Sequence, residues 1–501
     1  MVGFKEYRKS IRAALFAAAL FPLLALAKPE RPDLILIIAD DLGQQIGCYG
    51  DPNADTPNLD RMAAEGVMFR NAHVTAASCS PSRGSIMTGL YPHQHGMMGL
   101  SHFGTERMHD DVPKLPNQLK KLGYRTALIG KSHFQPRDQF TFDYYNEDMG
   151  HINRDRDVLW QNERAADFLD AVPEDTPFFL IVSYIDPHRG ASDVKGPYGP
   201  GRNIRFPRVK QGLPADPPKP EDIEPFPFYG LDSPEIREEL ADFYGAVARL
   251  DIGVGDLREK LEARGVWDDS LILFIGDHGP DVTRGKMAVY EWATRVPFIV
   301  NAPGAPEGLV REELVSSIDL FPTFIDAASA GESAPHQGRS LLGLLREGPA
   351  PAWRRYLFTE YITHVPWHFY PRYTARDHRY KLILNIYGGE RENPLDPRNY
   401  CNAWWEAQKP KYREMPIRDV YERVEHPPRV ELYDLRSDPY EFTNLASRAD
   451  LQGVRENMLT AIDDWRRLTD DPFLDPAERE EQDRKGLDYR KQWEKRRGAG
   501  H

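Results

Sequence analysis

The chain is punctuated by short, continuous apolar runs, and each of four of them ends in ionisable residues. Leu34 to Ile38 runs into Asp40-Asp41, Arg125 to Ile129 into Lys131-Ser132-His133, Phe178 to Tyr184 into Asp186-Pro187-His188-Arg189, and Leu271 to Ile275 into Asp277-His278. Unbroken apolar runs of this length mark strands buried on both faces of a parallel sheet. In open α/β sheets the carboxyl ends of such strands are where ligands bind. Val296 to Val300 is a further buried strand. Between the third and fourth runs, Ser233 and Pro234 open a helix whose apolar positions Ile236, Leu240, Phe243, Val247, Leu250, Val254, Leu257 and Leu261 recur at three and four, with Gly265 closing it. That stripe predicts packing against the sheet, not chemistry.

From about Tyr373 the pattern changes. Tyr380 to Asn385 and Glu431 to Leu435 are half-polar, which predicts a small antiparallel sheet with one wet face, and Leu451, Val454, Met458, Ile462 and Trp465 predict an amphipathic helix after it. The pattern thus gives an α/β fold: a large mixed, mostly parallel sheet flanked by helices over residues 28–372, a smaller antiparallel-sheet subdomain with a helix over 373–477, and a charged tail over 478–501. The proline-rich stretch Phe206 to Pro227 reads as a long surface loop beside the strand ends, since a linker there would separate Asp277 from Asp40.

Composition changes this picture at the N-terminus. Lys5, Arg8, Lys9 and Arg12 precede an apolar run from Ala13 to Ala27 that ends Ala-Leu-Ala, the form of a signal peptide over residues 1–27. No other stretch is apolar enough to span a bilayer. Removing four basic and one acidic side chain with that segment lowers the formal net charge from −13 to −16. So acidic a chain is unsuited to nucleic acid, and an anionic substrate needs a local basic pocket. Three cysteines, Cys48, Cys79 and Cys401, do not make a disulfide framework, although a Cys48–Cys401 bridge stays open. The absence of an N-x-S/T sequon favours secretion into a bacterial periplasm over a eukaryotic secretory route.

The stretch Cys79-Ser80-Pro81-Ser82-Arg83-Gly84-Ser85-Ile86-Met87-Thr88-Gly89 carries candidate chemistry of its own. Pro81 suits a first helical turn and Gly89 a stop, so Cys79 sits at a helix N-terminus, where free N–H groups and the helix dipole favour a thiolate, an oxyanion or a bound anion. Arg83 follows Cys79 at four residues, not the six of the thiolate phosphatase loop. Asp40, Asp41 and Asp277 offer hard oxygen ligands and His278 an imidazole, a set suited to Ca²⁺ or Mg²⁺ with Mn²⁺ admitted by the imidazole.

The run C-x-P-S-R-x-x-x-M-T-G resembles the signature of the type I sulfatases, and Glu431-Leu432-Tyr433-Asp434-Leu435 with Asp438-Pro439, Glu441 and Asn444-Leu445 resembles that family's C-terminal signature. The resemblance implies an alkaline-phosphatase-like fold and a calcium ion held by Asp40, Asp41, Asp277, His278 and residue 79. It also implies that a formylglycine-generating maturation enzyme converts Cys79 to 3-oxoalanine, whose hydrate attacks sulfur. By position it implies Arg83 as holder of the hydrate, Lys131, His133 and Lys286 as grips on the sulfate, and His188 as acid for the leaving group. Ser78 to Arg83, Thr88-Gly89-Leu90, His93-Gln94, Gly96-Met97, Gly99-Leu100, Asp186 to Arg189 and Gly338 to Leu342 resemble the heparan sulfamidase branch in particular. There Arg189 and His364 would contact the sugar, and the substrate would be the N-sulfate of a terminal glucosamine. Three positions depart from pattern: His278 stands where most sulfatases carry Asn, Lys286 where the sulfamidases carry Arg, and Thr363-His364-Val365 where they carry His-Glu-Val. An O-sulfatase acting on another glycan, a phosphonate or phosphodiester hydrolase of the same superfamily, and a carbohydrate-binding protein with a relict site are the alternatives.

Overall fold

A computed structural model describes residues 31–103, 106–146, 156–191, 204–206, 218–328, 334–394 and 401–498. The expected signal peptide and half of the proline-rich loop lie outside the described residues. From the N-terminus the strands are β1 (Asp33–Asp40), β2 (Val67–His73), β3 (Arg125–Gly130), β4 (Tyr144–Asn146), β5 (Phe178–Pro187), the short pair β6 (Gly190–Ala191) and β7 (Ile204–Arg205), β8 (Ser270–Gly276), β9 (Phe298–Asn301) and β10 (Leu309–Ser316). Strands β11 (Leu357–Tyr361), β12 (Arg372–Arg376), β13 (Tyr380–Asn385) and β14 (Val430–Asp434) follow.

Eight strands form one sheet in the order β10-β2-β9-β8-β1-β5-β3-β4, in which β9 alone runs against its neighbours. β1 lies at its centre, parallel to β5 and β8, with Leu34 opposite Phe179 on one side and Leu271 on the other. Its alternation decides the layers. Ile35, Ile37 and Ala39 face a core shared with the helices Pro57–Ala64, Val158–Ala171 and Pro234–Glu262. Leu34, Leu36 and Ile38 face a second core with the helices Cys79–Thr88, Leu115–Lys121 and Leu320–Ala328. A strand buried on both sides explains the unbroken apolar run.

The 29-residue helix Pro234–Glu262 begins as expected, with Ser233 Oγ accepting from Ile236 N at 3.3 Å. The smaller sheet, β11-β12-β13-β14, is antiparallel and carries the helix Gln452–Leu468 on one face through Met458, Ile462 and Trp465. Three expectations change here. The sheet starts at Leu357, ahead of residue 373. Its second face is not wet, because Ile383 and Tyr433 pack against Met287, Val289 and Tyr290. The charged tail expected over 478–501 is helical as far as it is described, within the helix Pro476–Gly498. The three cysteines are free, and the thiol of Cys401 is buried against Thr283, 3.0 Å from its hydroxyl.

Candidate active site

The four ionisable strand ends converge. β1 ends in Asp40, and Asp41 turns back with φ 64°, a left-handed conformation that a non-glycine residue holds only when its surroundings fix it. Here Asp41 N donates to Asp277 Oδ1 at 2.9 Å, joining the ends of β1 and β8. At the end of β3, Gly130 has φ 87°, and a Cβ there would lie 2.1 Å from Ser183 O of β5. Glycine is therefore required where the chain turns Lys131 inward. Asp40, Asp41, Asp277 and His278 are wholly inaccessible.

Three buried cations answer the three carboxylates. Arg83, on the helix Cys79–Thr88, donates from Nε to Asp277 Oδ2 at 2.9 Å and from Nη2 to Asp40 Oδ1 at 3.3 Å. Its Nη1 is held by Lys131 O at 2.9 Å and Ser183 Oγ at 2.7 Å. Lys131 Nζ pairs with Asp40 Oδ2, and Lys286 Nζ lies 2.9 and 3.0 Å from the two oxygens of Asp41. Burial alone would lower both lysines, but these carboxylates raise them, so both are ammonium ions.

Cys79 begins a helix whose ten residues are all buried, and Gly89 closes it with φ 70°. Ser78 precedes it in extended backbone but does not cap it; its Oγ meets His364 Nδ1 at 2.9 Å instead. Cys79 Sγ lies 3.3 Å from His278 Nε2 and 3.9 Å from Asp41 Oδ1. Burial would raise the thiol, but Lys131, Lys286 and His278 together hold it well below its ordinary value. His133, at φ 55°, sets its Nε2 3.1 Å from His102 Nδ1; burial and then Lys131 push its imidazole down to about 4, so it is neutral.

Ligating atoms of Asp41, Cys79 and His278 lie within 4.8 Å of one another, as do those of Asp40, Cys79 and Asp277, and of Asp40, Asp41 and His188. His278 Nδ1 faces Gly279 O at 2.9 Å and is fixed as the donor, which turns Nε2 toward Asp41 Oδ1 at 3.2 Å. Burial opposes charge on that ring, yet Asp277, Cys79 and Asp41 pull it up to about 9. The cluster therefore demands positive charge at Nε2, and its donor set fits a hard divalent ion with one imidazole ligand.

The end of β5 divides its residues between two tasks. His188 reaches the cluster, with Nε2 3.8 Å from Asp41 Oδ2 and Nδ1 on Arg189 O. Asp186 and Arg189 do not. Asp186 is clamped by Arg156 Nη1 at 2.5 Å and by Arg249 Nε and Nη2 at 2.5 and 2.7 Å, while Arg156 Nη2 also holds His188 O at 2.7 Å. Arg189, expected against the sugar, is 6% exposed, paired with Glu239 and Asp281 O, and laid over the Phe206 ring at 4.4 Å. Its guanidinium is engaged by the protein beneath the site. His364 is fully buried behind Ser78, one residue from the nucleophile. Sequence reasoning missed Ser183, Arg156 and Arg249. Ser183 was findable as the polar break in the β5 run, whereas the two arginines sit among ordinary helix and loop charges.

Known proteins resemble this chain. The family model "Sulfatase" matches residues 32–330, and the model "N-sulphoglucosamine sulphohydrolase, C-terminal" matches residues 279–402. The chain belongs to the sulfatase family. It is 32% identical to human N-sulphoglucosamine sulphohydrolase over 486 residues, covering 91% of this chain and 94% of that protein. It is 24% identical to the N-acetylglucosamine-6-O-sulfatase of Bacteroides thetaiotaomicron, covering 93% and 92%. Among solved structures, an enzyme in complex with its substrate D-glucosamine-2-N,6-O-disulfate aligns with TM-score 0.65 at 21% identity, covering 88% of this chain and 99% of that one. The phosphonate monoester hydrolase of Silicibacter pomeroyi aligns with TM-score 0.62 at 21% identity, covering 88% and 96%. The fold is thus the alkaline-phosphatase-like one of the sulfatases, and the chain is a sulfuric ester or sulfamate hydrolase.

Proposed function

We propose that this sulfatase removes the N-sulfate from a terminal glucosamine of heparan-type fragments outside the cytoplasm, in a bacterial periplasm. The observation that carries the reading is the 32% identity to human N-sulphoglucosamine sulphohydrolase along nearly the whole of both chains. Oxidised to formylglycine and hydrated, position 79 would supply a hydroxyl nucleophile to sulfur. A divalent ion held by Asp40, Asp41, Asp277 and His278, calcium by family resemblance, would polarise a sulfate oxygen.

The side chains divide the remaining work. Lys131 and Lys286, the cations that lower the Cys79 thiol, would be ammonium donors toward a sulfate at that position, where negative charge builds on the oxygens. Arg83 fixes Asp40, Asp277 and the β3 and β5 ends together, so its contribution is to hold the carboxylate frame. His133, a neutral imidazole, would be a hydrogen-bonding group for the sulfate. His188 keeps Nδ1 on the Arg189 carbonyl and presents Nε2 to the site, which suits it to protonate a leaving nitrogen.

An amine leaves poorly until protonated, whereas an activated phenol needs little help. Purified, matured enzyme should release sulfate from N-sulfoglucosamine at the non-reducing end of defined disaccharides. The His188→Ala variant should lose at least a hundredfold more activity on that sulfamate than on an aryl sulfate, within the range of about 10²–10⁴ for a positioned acid. Release of only a 2-O- or 6-O-sulfate would reassign the enzyme to the O-sulfatases, and preference for a phosphodiester would reassign it to the phosphonate hydrolases.

A further inference from the structure

The helix Pro476–Gly498 has no apolar stripe of the usual kind, yet it is fixed to the wall of the active site. Asp483 pairs with Arg391 at 2.8 Å, and Tyr489 OH donates to Phe103 O at 2.6 Å. Gly486 lies so close to the loop after β11 that a Cβ would sit 2.0 Å from Pro366 O. That loop carries His364, whose carbonyl accepts from Leu100 N at 2.8 Å, and Leu100 and Val365 pack directly on Cys79 with Phe103 and Trp367 beside them.

An aromatic path leads outward from the nucleophile. His133, two residues past Lys131, stacks on His102 with ring centres 5.4 Å apart. His102 meets Phe103 at 4.4 Å, and Phe103 stands edge-on to Trp367 at 5.6 Å. Trp367 then stacks on Tyr489 at 6.2 Å and meets Trp493 at 5.3 Å. His102 is exposed and the other five rings are half-buried, so the path is a surface and not a core. Beside it, the helix between Asp488 and Arg496 bears Arg490, Lys491, Lys495 and Arg496 against two carboxylates, on a chain whose net charge is −13. Arg490 and Lys491 are paired with Glu494 and Asp488, which leaves Lys495 and Arg496 as the local excess.

Flat aromatic faces bury the C–H face of a sugar ring while polar edges reach its hydroxyls, and a cationic margin selects an anionic chain. We propose that Trp367, Tyr489 and Trp493, with the cationic end of this helix, form a saccharide subsite for the residue next to the sulfated sugar of an anionic oligosaccharide. The proposal rests on the sulfated-saccharide reading of the catalytic centre. It makes the C-terminal helix part of substrate selection.

Kinetics of matured enzyme on an N-sulfoglucosamine monosaccharide and on a tetrasaccharide ending in the same sugar test it. Trp493→Ala should reduce the tetrasaccharide-over-monosaccharide ratio of kcat/KM about tenfold, through KM, as expected for the loss of one buried ring face. Trp493→Phe should restore most of it. Removing Lys495 and Arg496 together should make the tetrasaccharide KM less sensitive to salt. An unchanged ratio in Trp493→Ala, or an equal fall on both substrates, would overturn the subsite and leave the rings as an anchor for the helix. If the wild type cleaves neither saccharide, the catalytic reading fails instead. Calorimetric titration of wild type and Trp493→Ala with the tetrasaccharide then still decides the subsite, since weaker binding by the variant supports it and equal binding refutes it.

Discussion

Asp186 sits in the same strand-end position as the metal-cluster aspartates but is expected to behave quite differently when changed. It is a buried anion between two buried cations, accepting three hydrogen bonds of 2.5 to 2.7 Å from Arg156 and Arg249. Arg249→Met removes two charge-assisted bonds, worth about 1.5–3 kcal/mol each, but also removes the repulsion between the two guanidiniums and leaves a neutral Arg156–Asp186 pair. We expect a net loss of about 2 kcal/mol. Asp186→Asn keeps the shape and leaves two guanidiniums without a counter-charge, so its cost should reach about 3–5 kcal/mol. At roughly 2.1 cal/mol/K per residue, a chain of 501 residues unfolds with about 1 kcal/mol/K of entropy. The melting temperature should therefore fall about 2 °C in the first variant and about 3–5 °C in the second. Differential scanning fluorimetry with and without a chelator is the assay. A milder effect for Asp186→Asn than for Arg249→Met, or an effect of Asp186→Asn that vanishes under chelation, would refute the clamp and make Asp186 a candidate metal ligand.

Cys79→Ala should abolish turnover while keeping the wild-type melting temperature, and peptide mass spectrometry of active enzyme should find residue 79 as an aldehyde that reacts with a hydrazide. Exhaustive chelation should lower activity and stability together, by about 2.7 kcal/mol if the ion is normally present at a hundred times its dissociation constant, and elemental analysis should find one divalent ion per chain. The buried pair of His93 with Glu360, 2.7 Å apart, makes stability depend on pH. Burial disfavours the imidazolium, but Glu360 outweighs it and raises His93 above its ordinary value. That contribution is full below about pH 6.5 and is lost as pH rises through the raised folded value, so urea midpoints of wild type and His93→Phe should converge on the alkaline side.

The parts of the fold visible in the sequence were those with a local cause. Both faces of β1, β5 and β8 are covered by helices, which imposes the apolar runs, and the αL turn at Gly89 imposes the end of the nucleophile helix. Asp40 at the end of β1, Asp41 just past it, Asp277 and His278 just past β8, and Cys79 at the start of its helix were legible from those elements. What failed to show was set by partners distant in sequence. The small sheet was expected to have a wet face because β13 and β14 alternate, yet Lys381 and Glu441 are buried in a network with Glu291 and Arg376 at 3.0 to 3.2 Å. Polar residues on that face are paired, not solvated. Arg189 looked like a substrate contact from its place beside His188, and Glu239, fifty positions away on the long helix, claims it.

The charge at the centre gives the metal a task beyond chemistry. Asp40, Asp41 and Asp277 are matched one for one by Arg83, Lys131 and Lys286, and each cation is within hydrogen-bonding distance of its carboxylate. Such a set presents almost no net field to an approaching sulfate, and the rest of the chain, at −13, repels it. A divalent ion held by Asp40, Asp41, Asp277 and His278 would turn the balance to positive and would leave the ammonium groups of Lys131 and Lys286 for the substrate. Binding and catalysis then depend on the same ion. Partial chelation should accordingly reduce the fraction of sites that hold substrate at all, and direct binding of a sulfated disaccharide to the unreactive Cys79→Ala variant should weaken in step with metal content.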